Sequence, residues 1–252
     1  MTTGHGANSA NGANGGNGAA GTDRADGWST AVRERLGLGR LLPLGDPADG
    51  VWLAERAATT ALRRTAAEVP GATLGRLRLC LADPGSAEVP AVKPPPGALP
   101  PGVLRIDGDF AALAGEPLPD VAERLRTALY THAVDGLGLR VTEVDLRVTA
   151  LLEEPPEEPD TDSSGATAPV GAVAVAPKGT AAVIAAKVPG VAHLSGSLGT
   201  AVLVTRGHVR VELATAAGHR PWEVARGVSR AVSASLPSHP TVAVLITSVD
   251  VR

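Results

Sequence analysis

Aromatic side chains are nearly missing from this chain: 252 residues hold one Phe, one Tyr and three Trp. Its cores must therefore be assembled from Ala, Val and Leu. The aromatic residues on which nucleic-acid-binding sheets stack bases are also lacking. A single cysteine, Cys80, excludes an intramolecular disulfide and any cysteine-rich metal site. It falls in an alternating apolar run, where a free Cys behaves as a small hydrophobe. Lysine is confined to Lys93, Lys178 and Lys187, so the basic charge is carried by arginine. Long apolar runs are missing too. The greasiest stretch, 170–192, is broken by Pro177, Lys178, Lys187 and Pro189, and falls short of the ~20 apolar residues of a membrane-spanning helix. No basic region followed by an apolar core opens the chain, so no secretory signal is visible and the chain reads as cytoplasmic.

What the chain does have is one pattern written twice. The first copy carries Ala66-Ala67-Glu68-Val69-Pro70-Gly71, then Ala114-Gly115, Val121-Ala122 and Val144-Asp145-Leu146-Arg147-Val148. The second carries Ala185-Ala186-Lys187-Val188-Pro189-Gly190, then Ala217-Gly218, Val224-Ala225 and Val249-Asp250-Val251. The offset is 119 residues at Pro70/Pro189, 103 at Gly115/Gly218 and 105 at Asp145/Asp250. The first copy therefore holds extra residues in its middle, where the Pro-rich stretch from Pro90 to Pro101 lies. A long-period repeat organises the fold. It predicts four segments: a tail with a short amphipathic stretch (1–45), a first module (46–152) with a Pro-rich insertion (82–102), an acidic Pro-rich linker (153–169) and a second module (170–252).

Charge is unevenly shared among these segments. They carry +1, −3, −6 and +5 in order, for the total of −3. Such separation fits an acidic or polyanionic partner for the second module, and fits equally an acidic linker that shields its basic neighbour.

The first 27 residues are mostly Gly, Asn, Ala and Thr, a composition that buries too little surface to offset ordering entropy, which predicts disorder. Trp28, Val32 and Leu36 then recur at helical spacing. In the first module a strand at Val51–Leu53 leads to a helix with Ala58, Leu62 and Ala66 on one face, ended by Pro70-Gly71. Leu77, Leu79 and Leu81 alternate with Arg76, Arg78 and Cys80 as a strand with one wet face. Strands around Leu104–Phe110 and Leu139–Leu151 flank a helix opened by Pro119-Asp120. The second module reads as strands at 173–175, 200–204, 209–213 and 242–251, with helices at 180–188 and 222–236. The order β-α-β-β-α-β predicts an α+β fold of two tandem modules, each with two helices on one face of a small mixed sheet.

The closing strands carry a finer signal. Leu139 and Val141 keep one parity, whereas Val144, Leu146 and Val148 keep the other. Val244 and Ile246, then Val249 and Val251, repeat the switch. Half the apolar side chains would face the wrong way unless a residue loops out, which predicts β-bulges at Thr142–Glu143 and at Thr247–Ser248.

Motifs for chemistry do not assemble. The histidines form no His/Cys ligand spacing, and Ser195-Gly196-Ser197 lacks the context of a nucleophile elbow. Gly136-Leu137-Gly138 precedes a strand rather than opening a helix. Gly196-Ser197-Leu198-Gly199 matches a KH-type loop in letters only. His208 and Arg210 share a strand face, which points to solvent exposure. Asp107 and Asp109 are matched by Arg210 and Glu212 in the second copy, so no shared catalytic carboxylate pair is supported. No enzyme activity, cofactor or metal is expected. One surface group stands out: on the helix at 222–236, with Val224, Val228, Ala231 and Leu236 as its inner stripe, Trp222 falls on the side of Arg226 and Arg230. Trp beside Arg is the composition of binding hot spots, so Trp222, Arg226 and Arg230 are candidate partner contacts. The alternative is that Trp222 folds over the preceding loop.

With those residues in hand, both copies resemble the alkaline shock protein family of Gls-type general stress and envelope stress response proteins. The resembling pattern is Gly-x-Val-x-Val-Ala-Pro (Gly171 to Pro177), a helix ending Ala-Ala-x-Val-x-Gly-Val (Ala185 to Val191), Gly218, Val224-Ala225 and Val228, and a closing Val249-x-Val251. It covers 170–252 well and 50–152 more loosely; the duplication, the Pro-rich insertion and the N-terminal tail depart from it. The resemblance implies a non-catalytic bacterial protein of the cell envelope, held at the membrane face through a membrane-anchored partner and prone to self-association. A basic second module could also meet acidic lipid head groups. The competing expectation is a nucleic-acid-binding module using the basic second copy.

Overall fold

The computed structural model describes residues 37–154 and 174–250. The tail up to residue 36, with the Trp28–Leu36 helix expected from spacing, lies outside them, as does the linker beyond Glu154. Strands β1 (Leu41–Leu44) and β2 (Val51–Ala54) form an antiparallel hairpin that runs directly into helix α1 (Glu55–Ala67). Then come β3 (Ala72–Leu81), β4 (Leu104–Leu113), α2 (Leu118–Thr131) and β5 (Val141–Leu152). After the linker follow β6 (Ala174–Val175), α3 (Thr180–Ala186), β7 (Val191–Ser195), β8 (Val202–Thr205), β9 (His208–Thr215), α4 (Pro221–Ser235) and β10 (Thr241–Val249). The fold is α+β, as the sequence pattern predicts.

Two sheets result. The smaller has the order β3-β4-β5, the first pair antiparallel and the second parallel. The larger has the order β1-β2-β10-β9-β7-β6, with β8 pairing β9 beside β7. Here too β7 and β8 run antiparallel to β9, and β9 runs parallel to β10. The β4–β5 and β9–β10 pairs are joined through a helix, α2 and α4 respectively, the connection that sequential parallel neighbours require. The path from β3 to β5 thus has the same pairing senses as the path from β7 to β10.

Both predicted bulges are present. Thr142 is skipped in the pairing of β5 with β4, and Thr247 in the pairing of β10 with β9. A further slip at Thr149 has no counterpart in the sequence reading.

The opening strands depart from expectation. The reading put Val51–Leu53 in the first module's own sheet. Instead β2 pairs in parallel with β10, the closing strand of the second copy, with Val51, Trp52 and Leu53 opposite Val244, Leu245 and Ile246. The physical reason lies in its composition. All four residues Val51-Trp52-Leu53-Ala54 are buried, and a strand apolar on both faces belongs inside a sheet covered on both sides. The tail boundary at 45 also moves, because Leu41–Leu44 is a buried strand. The strand β7 was missed, being five residues long and broken by a slip at Ala192.

Helix α1 joins the two halves. It buries Ala57, Ala58, Ala61, Leu62 and Ala66, and packs against both β10 of the large sheet and β3 of the small one. In α4 the buried stripe runs through Val224, Ala225, Val228 and Val232 rather than Ala231 and Leu236. One continuous apolar core links residues of both halves.

The Pro-rich insertion closes the back of the large sheet. Trp52, Leu245 and Glu212 stand in register across β2, β10 and β9. At the Trp52 end of this row the insertion sets Leu99, whose carbonyl accepts the Trp52 indole N–H at 3.4 Å and whose N–H bonds the Leu41 carbonyl at 2.8 Å. Ala98 bridges to Leu41, and Val92 and Pro95 are buried.

Candidate functional site

Trp222 lies where the two halves of the chain meet. The turn between β1 and β2 is tied by Asp49, whose carboxylate accepts the Asp46 N–H at 2.9 Å while its own N–H bonds the Asp46 carbonyl at 2.9 Å. The same carboxylate accepts the Trp222 indole N–H at 3.1 Å on one oxygen and faces Arg226 Nε at 3.3 Å on the other. Arg226 stacks over the indole, 4.7 Å from its centroid. Two glycines make room. Gly45 (φ +77°) comes so close to the indole that a Cβ would overlap it. At Gly138 (φ +82°) a Cβ would stand 2.9 Å from the Trp222 Cβ. Gly138 ends a single π-turn, His132–Leu137, that extends α2. Beside it, Arg220 donates to the Asp135 carbonyl at 2.7 Å.

The sequence-derived trio is therefore split. Trp222 and Arg226 act within the chain, gripping Asp49 of the other half, whereas Arg230 stays exposed on α4. Trp222 does pack on a loop, but on one 173 residues away rather than the preceding one. Asp49 gave no local signal in the sequence, because its role depends on β2 crossing to β10. Next to the seam is a cavity of about 380 Å³, lined by Tyr130, Val134, Leu139, Arg140, Arg220 and Trp222 among others.

The second polar centre is Glu212 on β9, fully buried. Its side chain accepts the Leu198 N–H at 2.9 Å, and Arg210 Nη2 stands 2.9 Å from its other oxygen. Burial pushes its carboxyl up to about 7, against the opposing pull of the Leu198 and Ser197 N–H groups and Arg210. Glu212 occupies the position matched by Asp109 in the first copy. There β3 slips between Leu74 and Leu77; in the second copy the same place is a whole loop, Gly196 to Ala201, that separates β7 from β8 and folds over the carboxylate. Solvent exposure was expected of the face shared by His208 and Arg210. Instead the Arg210 side chain is only 12% exposed, covered with its partner. His208 is partly buried; burial lowers its pKa, and Lys93 of the Pro-rich insertion and Arg210 add to the effect.

The remaining clusters hold ions in pairs. On the wet face of the small sheet, Arg105 meets Asp107 at 2.9 Å and Arg147 meets Asp109 at 3.0 Å. Cys80 stands 3.2 Å from Asp107, and burial, followed by that carboxylate, pushes its thiol up. An open groove beside α1 and α2 runs past Thr65, Glu123, Arg124 and His132, whose imidazole pKa is lowered by burial. Among the described residues no group of three or more His, Cys, Asp or Glu could hold a metal ion. No described helix is long and apolar enough to cross a membrane. Of the second half's basic residues, Arg210, Arg220 and Arg226 already face carboxylates, which reduces what is left for a polyanion.

No protein-family model and no curated protein sequence matches the chain. Among solved structures it is similar to variants of MamM CTD. One is 14% identical, covering 37% of this chain and 93% of the other at a TM-score of 0.25. A nickel form is 13% identical, covering 37% and 95% at a TM-score of 0.25. A likeness at that score carries no argument about this chain.

Proposed function

We propose that this protein is a non-catalytic interaction module that docks protein partners on the far edge of its large sheet. The observation that carries this reading is the exposure of apolar side chains on β8. Leu203 and Val204 are 41% and 58% exposed on a strand that, among the described residues, pairs only with β9. Exposed apolar side chains beside free backbone groups are what strand-addition partners use. Val175 on the neighbouring short strand β6 is also exposed, at 36%. The resemblance of residues 170–252 to alkaline shock proteins supports placing such a partner at the membrane face of the cell envelope.

The test is affinity capture from lysate with the whole chain and with Val204→Glu, each with and without nuclease. Partners that survive nuclease and are lost from Val204→Glu support the reading. Partners lost on nuclease treatment, with steep salt dependence, would replace it with nucleic-acid binding.

A further inference from the structure

We propose that β5 is a self-complementary edge through which the chain pairs with a second copy of itself, antiparallel about Leu146. This goes beyond the docking reading and uses the opposite sheet.

Sheet edges that stay monomeric are kept short, bulged or covered. Here β1 is four residues long and bridged by Ala98, and β6 has two residues. The edge of β3 is interrupted by the slip between Leu74 and Leu77. Its Leu79 is also held by a pair of side chains: Glu55 accepts the Leu79 N–H at 3.4 Å and Arg40 donates to the Leu79 carbonyl. Although it slips at Thr142 and Thr149, β5 runs for twelve residues and, among the described residues, pairs on one side only, with β4.

Between the slips at Thr142 and Thr149, Glu143 to Val148 form a regular segment. Arg126 Nε reaches the Val144 carbonyl at 3.3 Å, which places that carbonyl on the free side; a partner strand would take over this one bond. Backbone groups alternate sides along a strand, so those of Leu146 and Val148 face the same way. A two-fold axis at Leu146 would set Leu146 against itself, Val144 against Val148 of the second copy, and Asp145 against Arg147. This attractive charge pair occurs twice, the signature of an isologous contact. Asp145 and Arg147 reach well into solvent, with side chains 66% and 73% exposed; within the chain Asp145 stands 3.6 Å from Arg105 and Arg147 3.0 Å from Asp109, so the contact adds a second partner to each charge. Val148, 39% exposed as a monomer, would be covered by Val144 of the second copy. A basic or acidic foreign strand would satisfy one charge of each pair and clash with the other. The occupant is therefore a second copy.

The experiment is sedimentation equilibrium of the full chain over a dilution series. The expected result is a monomer–dimer equilibrium that Arg147→Asp weakens at least about tenfold, with unchanged circular dichroism. The exchange Asp145→Arg/Arg147→Asp restores the dimer, because the opposition of unlike charges is regained. A wild-type chain that stays monomeric throughout overturns the proposal. So does a dimer that Arg147→Asp leaves intact, or one that the exchanged pair fails to restore.

Discussion

Trp222 donates its indole N–H to the carboxylate of Asp49, and so fastens the first turn of α4 to the hairpin that opens the other half. The same carboxylate binds Arg226, whose guanidinium covers the ring. Three groups are thereby satisfied at once in a partly covered seam, and removing one leaves the others short of a partner. Trp222→Phe keeps most of the packing and loses one hydrogen bond, for an expected cost of about 1–2 kcal/mol. Trp222→Ala should cost more, since the cation–π contact and the ring go too. Urea midpoints of the three proteins, compared at a common slope, check the order.

Gly138 admits no other residue without strain. Its φ is +82°, and a Cβ would stand 2.9 Å from the Trp222 Cβ. An L-residue there bears both a left-handed backbone, at roughly 1–2 kcal/mol, and a displaced Trp222. Gly138→Ala is thus expected to destabilise by at least about 2 kcal/mol. Gly97, also at positive φ (+81°) but with no neighbour within 4 Å of its Cβ position, provides the control. Gly97→Ala should show the backbone cost alone.

Much of this fold could be read from residue order. Parity along 139–148 and 244–251 located both bulges, because a misplaced apolar face has a large cost that the sequence must avoid. The stripe of α1 was legible for the same reason. The hairpin partner of β10 was not, since parallel pairing between residues nearly two hundred positions apart leaves no local period. Glu212 was missed for a related reason. An i, i+2 pair of Arg210 and Glu212 reads as a wet face unless one knows that the loop carrying Leu198 folds over it. The one available hint was the apolar company of Val209, Val211, Leu213 and Ala214.

Trp52 tests what the Pro-rich insertion contributes. Among the described residues it is the largest fully buried side chain, 1% exposed, and its indole meets Leu99 of the insertion. Trp52→Ala should cost about 3–5 kcal/mol through the cavity it leaves. It should also speed protease cleavage between residues 84 and 97, because the insertion loses the surface it rests on. Trp52→Phe, which retains most of the packing, should cost far less. Equal cleavage rates in all three proteins would show that the insertion is held by its own contacts.

Glu212 gives the protein a pH dependence of unusual sign. Most carboxylates are held ionised by a partner and lose stability as acid protonates them. Here the folded pKa is raised, from 4.5 to about 7, so the folded chain binds this proton more tightly than the unfolded one. The contribution is whole below pH 4.5 and is lost as pH rises through that interval, by about 3 kcal/mol in all. His132 and His208 act in the opposite direction, because burial lowers both: their contribution is present above the ordinary histidine value of 6.5 and is lost in acid. The wild-type profile alone would therefore mix the two effects, and the difference from Glu212→Gln isolates the carboxyl. Glutamine keeps an acceptor for the Leu198 N–H and has no proton to release. Denaturant unfolding at several pH values from about 5 to 8 should show a fall in wild-type stability relative to the variant, completed just above pH 7. Parallel profiles would mean that Arg210 holds Glu212 ionised throughout. Hydrogen exchange at the Leu198 amide over the same range gives a local check: a bond to a carboxylate strengthens as it ionises, so protection there should persist above pH 7 while global stability falls.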